Sequence, residues 1–115
     1  MIVPKLLSLS SSDLAAGELP PDPAHCLVPM LATIGPSSGT VGDGFSFTVV
    51  TPSALAESGR FGWGRGTLII DSFSWSQVEH SVNRLLAHAS RPSWQDVAQV
   101  LNHELLWEFD GYRQS

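Results

Sequence analysis

Lysine is nearly missing from this chain. Lys5 is the only one, and charged residues of all kinds make up 15% of the sequence, against roughly 25% in an ordinary globular domain. Eleven carboxylates face six basic side chains, for a formal net charge of −5. Nucleic-acid binders carry a basic patch, so this composition excludes nucleic acid as the expected partner. Cysteine is just as scarce. Cys26 stands alone, no internal disulfide can form, and a reducing compartment, the cytoplasm, is the natural location. Long apolar runs are missing too. Leu6-Leu7-Ser8-Leu9 is too short for a secretory signal and soon meets Asp13. The uncharged stretch 23–42 is interrupted by Pro23, Pro29, Pro36, Gly35, Gly39 and Gly42, unlike the continuous apolar segment of a membrane helix. No membrane partner is expected.

What is present is one domain's worth of chain, residues 1–115. A chain of this length buries roughly 65% of its unfolded surface, enough for a core without metal or disulfide support. The charge is unevenly placed. Residues 1–59 hold Asp13, Glu18, Asp22, Asp43 and Glu57 against Lys5 alone, whereas residues 60–115 are almost balanced. An acidic half steers a basic protein towards it and quickens encounter. Aromatic residues gather late: Trp94, Trp107, Phe109 and Tyr112 fall in the last quarter. Such groups bury large areas while Trp and Tyr keep a polar atom to satisfy, which suits a clasp on a small core or a surface for another macromolecule.

Strands come first. Residues 2–9 form a first strand ended by Ser10-Ser11-Ser12-Asp13, and the proline-rich residues 13–25 form a loop. Residues 26–34 alternate, with Val28, Met30, Ala32 and Ile34 on one face. Pro29 inside this strand predicts an edge position or a bulge. Phe45, Phe47 and Val49 alternate with Ser46 and Thr48 as a half-buried strand. Thr51-Pro52 predicts a helix start with Thr51 as cap, and residues 67–71 another strand. After Ser74 the period changes to about 3.6. Trp75, Val78, Val82, Leu85, Leu86 and Ala89 share a stripe, and Ser74 with Gln77 forms a capping box. A second helix starts at Ser93, with Trp94, Val97, Ala98, Leu101 and Leu105 inward. The expected fold is α+β: an antiparallel sheet of about four strands with two C-terminal helices on one face, covered by Phe45, Phe47, Leu68 and Ile70. Leu106 to Phe109 supplies a final strand or an ordered extension.

No catalytic motif emerges. Gly62-Trp63-Gly64-Arg65-Gly66 lacks the Gly-Lys-Ser/Thr of a phosphate loop and precedes a strand, so it is a flexible connection. His80, Arg84 and His88 share a helix face, but an arginine between two imidazoles repels a cation, and the face is a solvated one. No Gly-x-Ser-x-Gly elbow is present. Cys26 has the place of a small buried hydrophobe. Neither cofactor nor metal is implied. Glu108 and Asp110, two residues apart, point to the same side if that segment is extended. They would form an acidic patch bordered by Tyr112.

The run Ile34-Gly35-Pro36, then Gly44-Phe45-Ser46-Phe47-Thr48-Val49-Val50-Thr51-Pro52 with Leu55-Ala56, resembles the Imm8 family of bacterial immunity proteins. So does the later order of Leu68-Ile69-Ile70, Ser93-Trp94 with Val97, and Trp107-Glu108-Phe109 with Tyr112. The resemblance spans about residues 27–113. It implies an antitoxin of polymorphic toxin systems, including contact-dependent inhibition: a non-enzymatic protein that binds the C-terminal domain of a cognate secreted toxin in the cytoplasm. The block would come from occlusion of the toxin's active site or an essential surface. Many such toxin domains are nucleases with basic clefts, which an acidic inhibitor suits. The resemblance carries no catalytic residue across, and Gly111 stands where relatives often have an acidic or polar residue. Acidic and aromatic loop residues are the candidates for partner binding: Asp43, Glu57, Glu108, Asp110 and Tyr112. Two rival readings are a small enzyme using loop carboxylates or His103 near Glu104, and a homodimeric adaptor domain.

Overall fold

The structure is a computed structural model, and it describes residues 1–59 and 64–110. β1 (Pro4–Ser10), β2 (Leu27–Pro36) and β3 (Asp43–Val50) are followed by α1 (Pro52–Ser58) and β4 (Thr67–Ile69). Then come α2 (Trp75–Leu86), α3 (Trp94–Leu101) and β5 (Leu106–Trp107). The first three strands form an antiparallel meander. The far edge of β3 is divided between two partners. β5 pairs antiparallel with Phe45 and Ser46, and β4 pairs parallel with Thr48, Val49 and Val50. The fold is α+β as expected, with the short final strand at Leu106–Trp107 bringing the sheet to five strands, and the sheet is partly parallel rather than wholly antiparallel. The parallel pair has a simple cause. α1 lies between β3 and β4, and a helix crossover returns the chain in its original direction, where a tight hairpin would reverse it.

One sheet face makes the core. Residues directly opposite on paired strands share a face. Ala32, Phe45 and Trp107 therefore form one inward row, and Val28, Val49 and Leu68 another. Val78, Val82 and Leu86 of α2, Ala89, and Val97, Ala98 and Leu101 of α3 complete the same buried cluster. Both helix stripes thus lie as their 3.6-residue period requires. Their starts are capped as the sequence predicts: Ser74 Oγ accepts from the Gln77 N–H (3.4 Å) and Ser93 Oγ from the Asp96 N–H (3.1 Å).

Two local expectations change. Thr51 sits at the N-cap of α1, but its side chain makes no cap bond. It is fully buried and turns to the Cys26 backbone instead, accepting from its N–H (3.0 Å) and donating to its carbonyl (3.4 Å). Pro29 lies in β2, the strand between β1 and β3, not at an edge, and the bulge is in β1 between Leu6 and Ser8. The missing N–H costs no ladder bond. Opposite Pro29, Thr48 directs its own N–H away to the Gly66 carbonyl (2.8 Å). On the other side β1 has already ended, and the Ser11 hydroxyl donates to the Pro29 carbonyl (2.6 Å). Proline is tolerated where the ladder needs no donor from it.

The turn joining β2 to β3 is closed by glycine. A side chain on Gly35 would strike the Val41 carbonyl oxygen, and one on Gly42 the Ile34 carbonyl oxygen. Only hydrogen fits between backbones that approach so closely.

Candidate functional site

Period-two alternation carries Asp43 onto the inner face, in register with Ile34. There a single oxygen, Oδ2, accepts from the indole N–H of Trp94 (2.9 Å) and of Trp107 (3.0 Å). The carboxylate thereby ties the end of β3 to the first turn of α3 and to β5. Trp107 stacks on Phe45 with ring centres 6.5 Å apart and meets Phe109 edge-on at 6.3 Å. A second tie runs alongside. Arg65 donates from Nε to the Asn102 carbonyl (2.8 Å) and from Nη2 to Asn102 Oδ1 (2.6 Å), which also accepts from the Trp107 N–H (2.9 Å). Asp110 lies 3.8 Å from the same guanidinium. Neither Arg65 nor Asn102 stood out in the sequence. The signal available was an asparagine at a helix end, where its side chain can replace a backbone partner.

Glu108 and Asp110 do not form the extended pair expected. β5 stops at Trp107, and the Asp110 N–H donates to the Trp107 carbonyl (3.1 Å), closing a turn. Glu108 returns to Gly44 through two bonds. Its N–H donates to the Gly44 carbonyl (2.9 Å), and its carboxylate accepts from the Gly44 N–H. Asp43, Glu108 and Asp110 therefore gather at one corner of the sheet. Asp43 and Glu108 are held there by uncharged N–H donors, with no salt bridge to either among the described residues. Tyr112 and Trp63 lie outside the described residues.

Glu57 is at the other end of β3, roughly 25 Å away by the rise of eight strand residues. Its carboxylate is 2.8 Å from His25 Nε2, and His25 Nδ1 is 2.8 Å from Ser53 Oγ. This carboxylate–imidazole–hydroxyl chain has triad-like reach, but Ser53 Oγ is already within bonding distance of the Ala24 carbonyl (3.3 Å). His25 and Glu57 are exposed and stand apart from the cavities lined by Lys5, Leu85 and Glu104. A nucleophile also needs a water-excluding site with oxyanion donors.

The cavities are shallow or small. One of about 120 Å³ is lined by Phe47, Thr67, Leu68, Ser81, Leu85 and Glu104, among others. A second, of about 220 Å³, lies beside Arg84, His88, His103 and Glu104. These groups surround the apolar Leu85 and converge on no common point: among the described residues, no three metal-capable side chains cluster. Cys26 is half-buried and donates to the Pro23 carbonyl (3.5 Å). Burial, and secondarily the negative Asp22, push its thiol pKa up, the opposite of an activated nucleophile.

The second face of the sheet carries neither α2 nor α3. Leu27, Val50 and Ile69 share a row there, as do Leu31, Ser46 and Leu106. Leu27, Leu31, Ile69 and Leu106 are between 38% and 54% exposed. Pro29, Thr48 and Thr67 lie between them, so the centre of this face holds no charge.

The model of the Imm8 family, immunity protein 8, matches residues 5–112. The chain belongs to the Imm8 family. No curated protein and no solved structure matches it. As an Imm8 member it is connected in general terms with a toxin partner. No helix among the described residues is long and apolar enough to cross a membrane.

Proposed function

We propose that this chain neutralises a cognate toxin, the C-terminal domain of a secreted protein encoded beside it, by one-to-one binding in the cytoplasm. It covers the toxin's active site or an essential surface and undergoes no reaction itself. Membership of the immunity protein 8 family over residues 5–112 carries this reading. The corner formed by Glu108 and Asp110 supports it. Solvated carboxylates beside the exposed Phe109 suit a basic partner such as a nuclease domain, with the charges as a steering rim. Asp43 serves the same corner by holding Trp94 and Trp107 in place. Tyr112, two residues after Asp110 in the sequence, is a further candidate contact. Glu57 is a remote, secondary contact.

The test is protection. Cells expressing the toxin domain from the neighbouring upstream reading frame should stop growing, and co-expression of this chain should restore growth. A purified pair should form a 1:1 complex. Failure of the intact, folded chain either to protect or to bind rejects the reading.

A further inference from the structure

We propose that the energetic centre of partner binding is the second face of the sheet, around Leu31, Ser46 and Leu106, and that its occupant is a basic protein surface offering apolar side chains. The inference rests on the immunity reading for the partner's identity, but the placement comes from the geometry. Exposed large hydrophobic residues are normally scattered over a surface. Here Leu27, Leu31, Ile69 and Leu106 fall on one face by strand register. Val50, between Leu27 and Ile69, is itself covered, so the open apolar area centres on Leu31 and Leu106, and apolar area bordered by polar groups marks an interaction surface.

The edge of that face states the partner's charge. A side chain built on Gly44 would lie 3.0 Å from Glu108 Oε2 and 3.4 Å from Leu31 Cδ1. The carboxylate and the leucine therefore meet over the bare backbone of Gly44. Leu106 packs over Gly66 in the same manner, 3.1 Å from where its Cβ would be. Among the described residues Glu108 is bound there by a neutral N–H, and Arg65 is engaged by Asn102 and Asp110. An apolar centre with a carboxylate at its edge that no described cation pairs with complements lysine or arginine flanking apolar side chains. A second copy, itself at −5, is repelled where a basic protein is drawn in.

Two arms test this. In the first, the methyl-labelled chain is titrated with a peptide of alternating lysine and leucine, and with a glutamate–leucine peptide as control. Resonances of Leu31, Leu106 and Ile69 should shift with the basic peptide alone, and Glu108→Lys should abolish the shifts. Shifts centred on Leu85, or equal shifts with both peptides, overturn the inference without touching the immunity reading. In the second arm, the neighbouring toxin domain is bound to the wild-type chain, Leu31→Asp and Ser46→Arg. Each substitution should weaken binding roughly 30-fold or more, the scale of an interface hot spot. Ser46 is exposed, so its replacement keeps the fold even where Leu31→Asp does not. Wild-type affinity in Ser46→Arg overturns the placement alone, whereas no binding by the wild-type chain overturns the immunity reading. A dimer dissociated by Ser46→Arg assigns the face to a second copy and also overturns the inference.

Discussion

Asp43 illustrates how one side chain is claimed by the interior. Its Oδ2 receives two indole protons, and removing that acceptor strands both half-buried donors. Asp43→Ala should lower unfolding free energy by about 2 kcal/mol or more, read from the urea midpoint, because a donor left without a partner forfeits its desolvation cost. Asp43→Asn keeps an oxygen that can accept from both indoles but loses the negative charge that strengthens those bonds, and should lose about half as much. Equal stability of both variants with the wild-type chain would contradict the clasp. The sequence sets Asp43 in a partner-binding loop, whereas it opens β3 and turns inward. Phe45, Phe47 and Val49 alternate inward, and the same period carried back over Gly44 lands on Asp43. Its two tryptophan partners were not legible, since they arrive 51 and 64 residues later in the chain. Cys26 gives a pH-dependent prediction at the same scale. With its pKa raised by burial, the folded thiol stays protonated to higher pH than a free one. Labelling by a disulfide reagent at pH 8 should be slower than in urea-unfolded chain, with the difference shrinking as pH rises. Equal rates folded and unfolded at pH 8 refute it.

Among the elements, those with local signals were the ones the sequence disclosed. Ser74 and Ser93 cap α2 and α3 through bonds only three residues long, and the helix stripes need nothing beyond 3.6-residue spacing. β4 and β5 were harder for a physical reason. Three and two residues long, they take their identity from the edge of β3 rather than from their own pattern. The parallel direction of β4 likewise depends on where α1 delivers the chain. The β2–β3 connection yields a prediction of its own. Gly42→Ala places a methyl group against the Ile34 carbonyl, and the backbone on both strands must shift. A loss of about 1–3 kcal/mol, as for an overpacked interior, should appear in thermal or urea unfolding. Gly39→Ala is the control, as its nearest neighbour is 3.9 Å away, and similar losses in both would dismiss the close-approach argument.

For the molecule as a whole, charge and shape divide the work of recognition. The net charge of −5 acts at a distance and is screened within about 10 Å at 0.1 M salt, whereas the apolar face acts only on contact. Charge reversal at Glu108 or Asp110 should therefore slow association with the toxin domain by roughly tenfold at low salt and much less at high salt. Stopped-flow association rates check this, and rates unchanged at low salt with the fold intact discard the acidic corner as a steering site. The candidate residues themselves were only partly legible as a site. The acidic and aromatic composition of residues 107–110 singled out a stretch that the fold brings beside Asp43 and Gly44. The fold-back of Glu108 onto Gly44 and the distance of Glu57 from that corner follow from strand pairing, which spacing along the chain does not encode.

The divided edge of β3 also sets an order of events during synthesis. Residues 106 and 107 emerge behind every other described strand and helix, yet they fill half of the middle strand's flank and deliver Trp107 to the core. A nascent chain that has exposed everything through α3 still shows bare backbone along Phe45 and Ser46. Protection by a chain truncated after Leu105 should accordingly be absent, and binding competence arrives only when residues 106 and 107 have docked.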